Sequence, residues 1–188
     1  MVSLSIRPSL ISSLVLMFLL FAASSNASNK VVDVNAICKP TENPSLCSNI
    51  LNSKPGGAKG ADLVSLALYT VDVARGNITN TINLIKSLIA KSAHNPNAKN
   101  HYEMCLLHFD YDEGALAIID GIKKILKSRD YNSLNIAASA VQTEVSNCIV
   151  GDSPSDPPYH DSSLLPRYAD VVDQVVDIIL SISYYLVN

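Results

Sequence analysis

Hydrophobic residues beyond position 30 recur at steps of three and four, which is the period of an α-helix. The stretch nearest the C terminus shows this most clearly, because its apolar positions form one unbroken series: Leu165, Tyr168, Val172, Val175, Ile179, Ile182 and Leu186. The polar residues between them (Asp170, Asp173, Gln174 and Asp177) fall on the other side. The pattern predicts a long amphipathic helix with one buried stripe.

Three further stretches have the same period. One runs from Tyr131 to Cys148, and Asp130 before it is a suitable N-cap. A second spans about Ala61 to Lys91, with an inner face predicted at Ala67, Val71, Ala74, Ile78, Ile85 and Ile89. A third starts after Pro96, and its predicted inward positions are Ala98, Tyr102, Cys105 and Phe109. Its pattern is interrupted near Gly114 and then resumes to Leu126, which predicts a kink or phase shift.

Two short helical pieces, at about Val31–Ile37 and Pro44–Ser53, precede these long helices. The stretch 151–161 is dense in Pro and Asp and is expected to be a loop. No stretch alternates as a strand would. The sequence therefore predicts an all-α fold, namely a four-helix up-and-down bundle over residues 60–188 with an N-terminal helical hairpin over residues 28–58.

The first 27 residues read as a targeting segment. Arg7 precedes an apolar run over residues 10–23, and the small residues Ser25 and Ala27 suit a cleavage site. The run is shorter than the ~20 residues that a membrane-spanning helix needs. We therefore expect a signal peptide over residues 1–27 and a secreted domain over residues 28–188, with no membrane attachment after cleavage. The net charge of −3 argues against a nucleic-acid partner.

The four cysteines are expected to pair, because an exported chain matures in an oxidising compartment. Three pairings are possible. Joining near neighbours gives Cys38–Cys47 and Cys105–Cys148, and the periodicity supports the second pair because both cysteines face inward from different helices. In a secreted chain the triplet Asn77-Ile78-Thr79 is also a candidate glycosylation site at Asn77.

Residues that carry chemistry are sparse. His94, His101 and His108 lie seven apart, a rise of about 10.5 Å on a helix, which is too far for two of them to bind one metal ion. We expect them to be surface residues. The sequence contains no nucleophile elbow, phosphate loop or metalloprotease helix motif. It therefore predicts no catalytic residue, no metal site and no cofactor, and it favours a binding protein over an enzyme.

Three groups of residues resemble a known family. Cys38-Lys39-Pro40-Thr41 and Asn43-Pro44-Ser45-Leu46-Cys47 resemble the opening of the plant invertase/pectin methylesterase inhibitors. The pair Tyr102-Glu103 ahead of Cys105 resembles the approach to the family's third cysteine. The box over residues 130–135, followed by Ala137-Ala138-Ser139-Ala140, resembles the helix before the fourth cysteine. The resemblance covers essentially the whole of residues 28–188.

This resemblance implies a four-helix bundle with an N-terminal hairpin and the same two disulfides. It also implies an enzyme inhibitor that acts in the cell wall, or apoplast, by covering the substrate cleft of its target in a one-to-one complex. The box over residues 130–135 and the absence of a Pro-Lys-Phe motif favour pectin methylesterase as the partner. An inhibitor of cell-wall or vacuolar acid invertase is the alternative.

A secreted carrier of small apolar ligands is the alternative from another class. A carrier needs an internal cavity, whereas the predicted inward positions are filled by apolar side chains. On the inhibitor interpretation, the partner-binding residues are expected on the polar stripe of the helix that begins at Tyr131 and on the helix that carries Cys105. They are Asn135, Ser139, Gln142, Thr143, Ser146 and Asn147, with Glu103 and Asp110 from the second helix.

Overall fold

The structure is a computed structural model that describes residues 33–110, 112–152 and 159–188. The predicted signal peptide therefore lies outside the described residues, as does the start of the first predicted helical piece. The described part contains seven α-helices and no β-strand. The all-α prediction is confirmed.

Helices α1 (Val34–Cys38) and α2 (Pro44–Asn52) form the N-terminal hairpin. Asn43 caps α2, because its side chain accepts a hydrogen bond from the Leu46 N–H at 3.1 Å. The disulfide Cys38–Cys47 ties the two helices together, as predicted. The prediction of a short hairpin ahead of the bundle is therefore confirmed for the described residues.

Five further helices build the bundle: α3 (Leu63–Lys91), α4 (Pro96–Phe109), α5 (Ala115–Ser128), α6 (Tyr131–Val150) and α7 (Leu165–Val187). Helices α4 and α5 together occupy one of the four predicted positions. Both α5 and α7 pack against α3 and α6, so that α5 and α7 are diagonal to each other. The hairpin rests on α7, where the Tyr185 and Ser181 hydroxyls donate hydrogen bonds to α1 carbonyls.

Side-chain caps and apolar stripes explain why these segments are helical. Asp62, Asn95 and Asp130 cap α3, α4 and α6 by accepting backbone N–H bonds of the first turn. The inward positions of α4 predicted from the sequence, Ala98, Tyr102, Cys105 and Phe109, are all buried. So are Leu134, Ala138, Val141, Val145 and Cys148 on α6.

The interruption near Gly114 is larger than the expected kink. Helix α4 ends at Phe109 and α5 begins at Ala115, so the chain breaks into two helices. The backbone turns back on itself there, since a Cβ atom at Gly114 would lie 2.6 Å from the Leu107 carbonyl oxygen. Only glycine permits that approach without displacing the α4 backbone.

Four details of the predicted α3 and α7 helices differ in the structure: the start of α3 and the burial of Ile89, Tyr168 and Leu186, of which Leu186 is only half-buried. Helix α3 begins at Leu63 instead of Ala61, because Asp62 is its cap. Ile89 is only half-buried near the end of that helix. Tyr168 is 39% exposed, because Ala169 takes the inward place in the first turns of α7. The three differences in burial fall near helix ends.

Candidate interaction surface

Helix α6 carries six of the eight predicted partner-binding residues and has two flanks. One flank faces α7 and the other faces α4. The two flanks differ in their side chains, in their cross-links and in their charges, and the predicted residues are divided between them.

A groove of about 730 Å³ runs between α6 and α7. We call it the α6–α7 groove and define it by Ser139, Gln142, Thr143 and Ser146 on α6 and Asp170 and Asp173 on α7. Four of the eight predicted residues therefore line one continuous surface. Their side chains are polar, and Ser139, Thr143 and Ser146 are short and exposed.

Asp173 gives this groove its electrostatic character. Partial burial raises the pKa of Asp173, and the carboxylates of Glu42, Asp177 and Asp170 raise it further. A hydrogen bond with Gln142 acts in the opposite direction. The groove therefore concentrates negative charge, and that charge favours the protonated form of Asp173.

The other flank of α6 is cross-linked to α4. The disulfide Cys105–Cys148 joins the two helices, which confirms the second predicted pair. His108 lies one turn beyond Cys105, with its Nδ1 atom 2.8 Å from a Glu144 carboxylate oxygen on α6 and its Nε2 atom 3.2 Å from Asp152. These contacts bridge α4, α6 and the segment that follows α6.

A depression of about 480 Å³ opens on this flank. We call it the α4–α6 depression, and its lining includes Asn100, Met104, His108, Asn147, Val150 and Tyr159. Asn147 therefore lies apart from the four groove residues. Met104 and Val150 are 40% and 60% exposed, so the depression presents apolar as well as polar groups, and Val150 also lines the groove.

His101 anchors the segment that leads into α7. Its ring stacks on Tyr159 with 4.4 Å between ring centroids, and its Nε2 atom lies 3.8 Å from an Asp161 carboxylate oxygen. Burial lowers the pKa of His101, and the charge of Asp161 opposes that shift. Burial also raises the pKa of Tyr102 to about 12. Its hydroxyl donates a hydrogen bond to Asp161 at 2.9 Å.

The expectation that the histidines are surface residues is wrong for two of them. The side chains of His101 and His108 are only 11% and 13% exposed. The crossing of α4 and α6 at the disulfide covers both. Their spacing from Cys105, four residues before and three after, was the signal that placed them on the same flank as the cross-link.

Three of the predicted residues lie outside both surfaces. Asn135 lies nearer the N-terminal end of α6, where its side-chain amide donates a hydrogen bond to the buried Ser183 hydroxyl at 3.1 Å. Glu103 pairs with Lys99 on the exposed side of α4, at 3.6 Å. Asp110 follows the end of α4 and accepts the Asp112 N–H at 3.1 Å. The structure does not bring these three to the groove.

The predicted glycosylation site lies within α3. The Asn77 side-chain amide donates a hydrogen bond to the Val73 carbonyl at 2.9 Å, and the Thr79 hydroxyl donates one to the Arg75 carbonyl. Both side chains of the sequon are thus bonded to the helix backbone in the folded protein. Glycosylation at Asn77 stays a prediction.

The carboxylates of the groove are what the sequence reasoning missed. Asp170 and Asp173 were expected only to face water, because they fall off the apolar stripe of α7. The structure places them opposite the polar residues of α6. The periodicity of α7 alone places both aspartates on its exposed face, but it does not show which helix lies beside that face.

The protein is thus a helical bundle that two disulfides cross-link and whose surface carries a groove and a depression. The described residues contain no group of three or more His, Cys, Asp or Glu side chains placed to hold a metal ion. The profile described as plant invertase/pectin methylesterase inhibitor matches residues 32–182. The chain belongs to this family of enzyme inhibitors, as its resemblance predicted.

Relatives with reported names support the same assignment. A pectinesterase inhibitor of Actinidia deliciosa is 36% identical over 81% of this chain and 78% of its own. Pectinesterase inhibitor 2 of Arabidopsis thaliana is also 36% identical, over 71% of this chain and 73% of its own. The cell wall/vacuolar inhibitor of fructosidase 1 of Arabidopsis thaliana is 34% identical over 48% of this chain and 45% of its own. The similarity to pectinesterase inhibitors is thus the more extensive.

The fold also matches a solved structure. A crystal structure of a mutant form of a pectin methylesterase inhibitor from Arabidopsis superposes with a TM-score of 0.64. The two sequences are 27% identical, and the match covers 80% of this chain and 95% of the other. The bundle predicted from the sequence is therefore the fold of this family.

Proposed function

We propose that this protein inhibits a pectin methylesterase by binding over the substrate cleft of the enzyme in a one-to-one complex. The observation that carries the proposal is the 36% identity to a pectinesterase inhibitor across four fifths of the chain. The partner is then an enzyme that removes methyl esters from pectin and leaves free carboxylates. Blocking the cleft requires no catalytic group on the inhibitor itself.

The α6–α7 groove is the surface that we assign to the enzyme. It presents short hydroxyl side chains and the Gln142 amide beside apolar residues such as Val150 and Pro166, so a partner can both exchange hydrogen bonds and bury apolar surface there. The carboxylates of Asp170 and Asp173 favour a partner with basic residues at the contact, and they act mainly on the rate of association. A bundle fixed by two disulfides loses little conformational entropy on binding.

An activity assay tests the proposal. The purified, oxidised protein is mixed with a plant pectin methylesterase and, separately, with an acid invertase, and both activities are followed. We expect pectin methylesterase activity to fall until one equivalent of protein has been added and invertase activity to stay constant. Unchanged esterase activity at a large excess of inhibitor against several isoforms would refute the assignment.

Two variants that each add one positive charge to the groove test the assigned surface. Ser139→Lys and Ser146→Lys each place a long cation on the groove at an exposed position. Each is expected to weaken inhibition at least about ten-fold without changing the melting temperature. Asn83→Lys is the matched control, because it places the same side chain at an exposed position of α3. Equal loss in all three variants would contradict the assignment of the groove.

Inhibition of an acid invertase is the second candidate function. The observation in its favour is the 34% identity to the inhibitor of fructosidase over about half of the chain. The same assay separates the two functions, since it follows both enzymes. Loss of invertase activity with unchanged esterase activity would assign the chain to this alternative.

We also propose that the protein works outside the cell, in the wall. The predicted signal peptide over residues 1–27 supports export, and the two disulfides are of the kind that form in oxidising compartments. No helix among the described residues is long and apolar enough to cross a membrane. N-terminal sequencing of the secreted protein, with Ser28 expected as the first residue, tests the predicted cleavage.

A further inference from the structure

The C-terminal half of α5 carries a concentration of positive charge. Lys123, Lys124, Lys127 and Arg129 fall within seven residues, in a chain whose net charge is −3. No acidic residue interrupts them, and the nearest are Asp120 before and Asp130 after. Asp130 caps α6, because its side chain accepts a hydrogen bond from the Ser133 N–H.

Ion pairs across the α3–α5 contact neutralise the first of these cations but not the others. Lys123 pairs with Asp72, and the Arg75 guanidinium binds Asp120 at 2.6 Å. Among the described residues, no carboxylate lies within ion-pair distance of Lys124, Lys127 or Arg129. These three exposed cations, which we call the α5 basic surface, remain available to a partner.

Arg129 sits in a backbone conformation that disfavours its side chain. Its φ of 59° makes it the left-handed residue that ends α5, a position where glycine is preferred. It is the one non-glycine residue with a positive φ in the described part of the chain. Cations near a helix C terminus also offset the helix dipole, but that effect is confined to the last turn and does not extend to Lys124.

The α5 basic surface lies away from the proposed enzyme-binding groove. Helix α5 is diagonal to α7, which carries the acidic residues of the groove. In the described part of the molecule, the carboxylates of the groove and the cations of the α5 basic surface therefore lie on different helices. We expect a partner bound at the groove to leave the α5 basic surface open.

We propose that the α5 basic surface binds a linear polycarboxylate, namely a pectin chain from which methyl esters have been removed. Lys124 and Lys127 are neighbours at i and i+3, about 5–6 Å apart between Cβ atoms. Two long, flexible ammonium side chains on one face of a helix can therefore each pair with a carboxylate of one linear chain. The choice of polymer rests on the proposed function, because a pectin methylesterase produces such carboxylates. The inhibitor would thereby be held where the enzyme has already acted.

Retention on immobilised polysaccharide tests this proposal. The secreted, full-length mature protein is passed over polygalacturonate and over fully methyl-esterified pectin at low salt, and is then eluted with a salt gradient. We expect retention on polygalacturonate alone and elution at moderate ionic strength, because the contacts are screened by salt. Phosphatidylserine vesicles are the second probe, which distinguishes a lipid surface from a polysaccharide.

Matched charge variants locate the contact. The double variant Lys124→Gln/Lys127→Gln is expected to lower retention at least about five-fold, since each ionic contact contributes to affinity. Lys86→Gln/Lys91→Gln removes the same two charges from exposed positions of α3 and is expected to bind as the unaltered protein does. Arg129→Gly removes the third cation and relieves the left-handed strain, so it should raise the melting temperature while it lowers retention.

Three outcomes would overturn the proposal: no retention on polygalacturonate, equal loss in the two double variants, or stronger retention on vesicles than on the polymer. Esterase inhibition is measured on the same samples. A variant that loses retention and still inhibits supports two separate surfaces. If the unaltered protein is retained on polygalacturonate but does not inhibit the esterase, the result would support binding at the α5 basic surface and refute the proposed function.

Discussion

The two flanks of α6 are built differently although one helix supplies both. Toward α4, a disulfide and the bridging ring of His108 lock the helices together. Toward α7, buried apolar side chains and the hydrogen bonds Asn135–Ser183 and Gln142–Asp173 hold the helices beside an open groove. The comparison shows how a small bundle combines rigidity with an accessible surface, because the cross-links are on one side and the groove is on the other.

The flanks also respond to acid in opposite directions. On the α4 flank, burial lowers the pKa of His101, so its protonation opposes the folded state. On the α7 flank, burial and three neighbouring carboxylates raise the pKa of Asp173, so its protonation favours the folded state. Lower pH is therefore expected to loosen the cross-linked flank and to relieve repulsion in the groove.

The largest expected effect comes from the disulfide of the α4 flank. Replacing both cysteines, Cys105→Ser with Cys148→Ser, should lower the free energy of unfolding by about 4 kcal/mol, because the bond closes a long loop in the unfolded chain. The two positions are 43 residues apart. Urea unfolding followed by circular dichroism measures the loss.

The hairpin disulfide is the control for that prediction. Cys38→Ser with Cys47→Ser opens a loop between positions only 9 residues apart. Its expected cost is about 2.7 kcal/mol by the same loop-closure reasoning. A larger loss for the hairpin pair than for the interhelix pair would show that loop entropy does not rank the two bonds.

The second effect concerns the bridge made by His108. His108→Ala should lower the free energy of unfolding by about 2 kcal/mol, because Glu144 loses its partner at a partly buried position. His94→Ala is the matched control, since that side chain is exposed in the turn before α4, and it should change stability by less than about 0.5 kcal/mol. Thermal and urea unfolding of both variants measure the difference. Equal losses of stability in the two variants would show that the contacts of His108 do not stabilise this flank.

A smaller effect is expected from His101, and it depends on pH. The folded state binds fewer protons than the unfolded state as the pH falls below the ordinary histidine value of 6.5, so His101 reduces stability there. His101→Gln should make the dependence of stability on pH shallower in this range. Melting temperatures between about pH 7.5 and pH 5 provide the test. An unchanged slope in the variant would contradict the assignment.

The smallest effect is expected from Asp173 in the groove. Its folded-state pKa is raised above the carboxyl value of 3.8, so the folded state binds more protons than the unfolded state between those two values. Stability contributed by Asp173 therefore increases as the pH falls through that window. Asp173→Asn should remove this component and slightly stabilise the protein at neutral pH. A variant that loses less stability than the parent as the pH falls through that window would reverse the sign and refute the account.

Much of the fold could be predicted from periodicity and caps. The steps of three and four in α4, α6 and α7 identified most buried residues, and Asp130 identified the start of α6. Both disulfides followed from spacing and from the inward positions of Cys105 and Cys148. The interrupted pattern predicted a kink near Gly114 but not the separation into two helices. That separation depends on how closely the chain approaches the Leu107 carbonyl.

Less of the candidate surface could be predicted. Ser139, Gln142, Thr143 and Ser146 were expected together and line one groove, because they share one face of a single helix. Asn147 is on the other flank, and Glu103 lies on the exposed side of α4. The periodicity of one helix does not show which way its face turns relative to the next helix.

The sequence by itself determined the helices, the buried stripes, the cysteine pairs and the family, because these depend on local propensity and on the order of residues along one chain. Tertiary structure alone decided that Asp173 faces Gln142, that His108 bridges two acidic side chains and that no carboxylate among the described residues pairs with the α5 basic surface. These are contacts between helices. They depend on the rotation and register of each helix against its neighbours, which packing of the whole core sets.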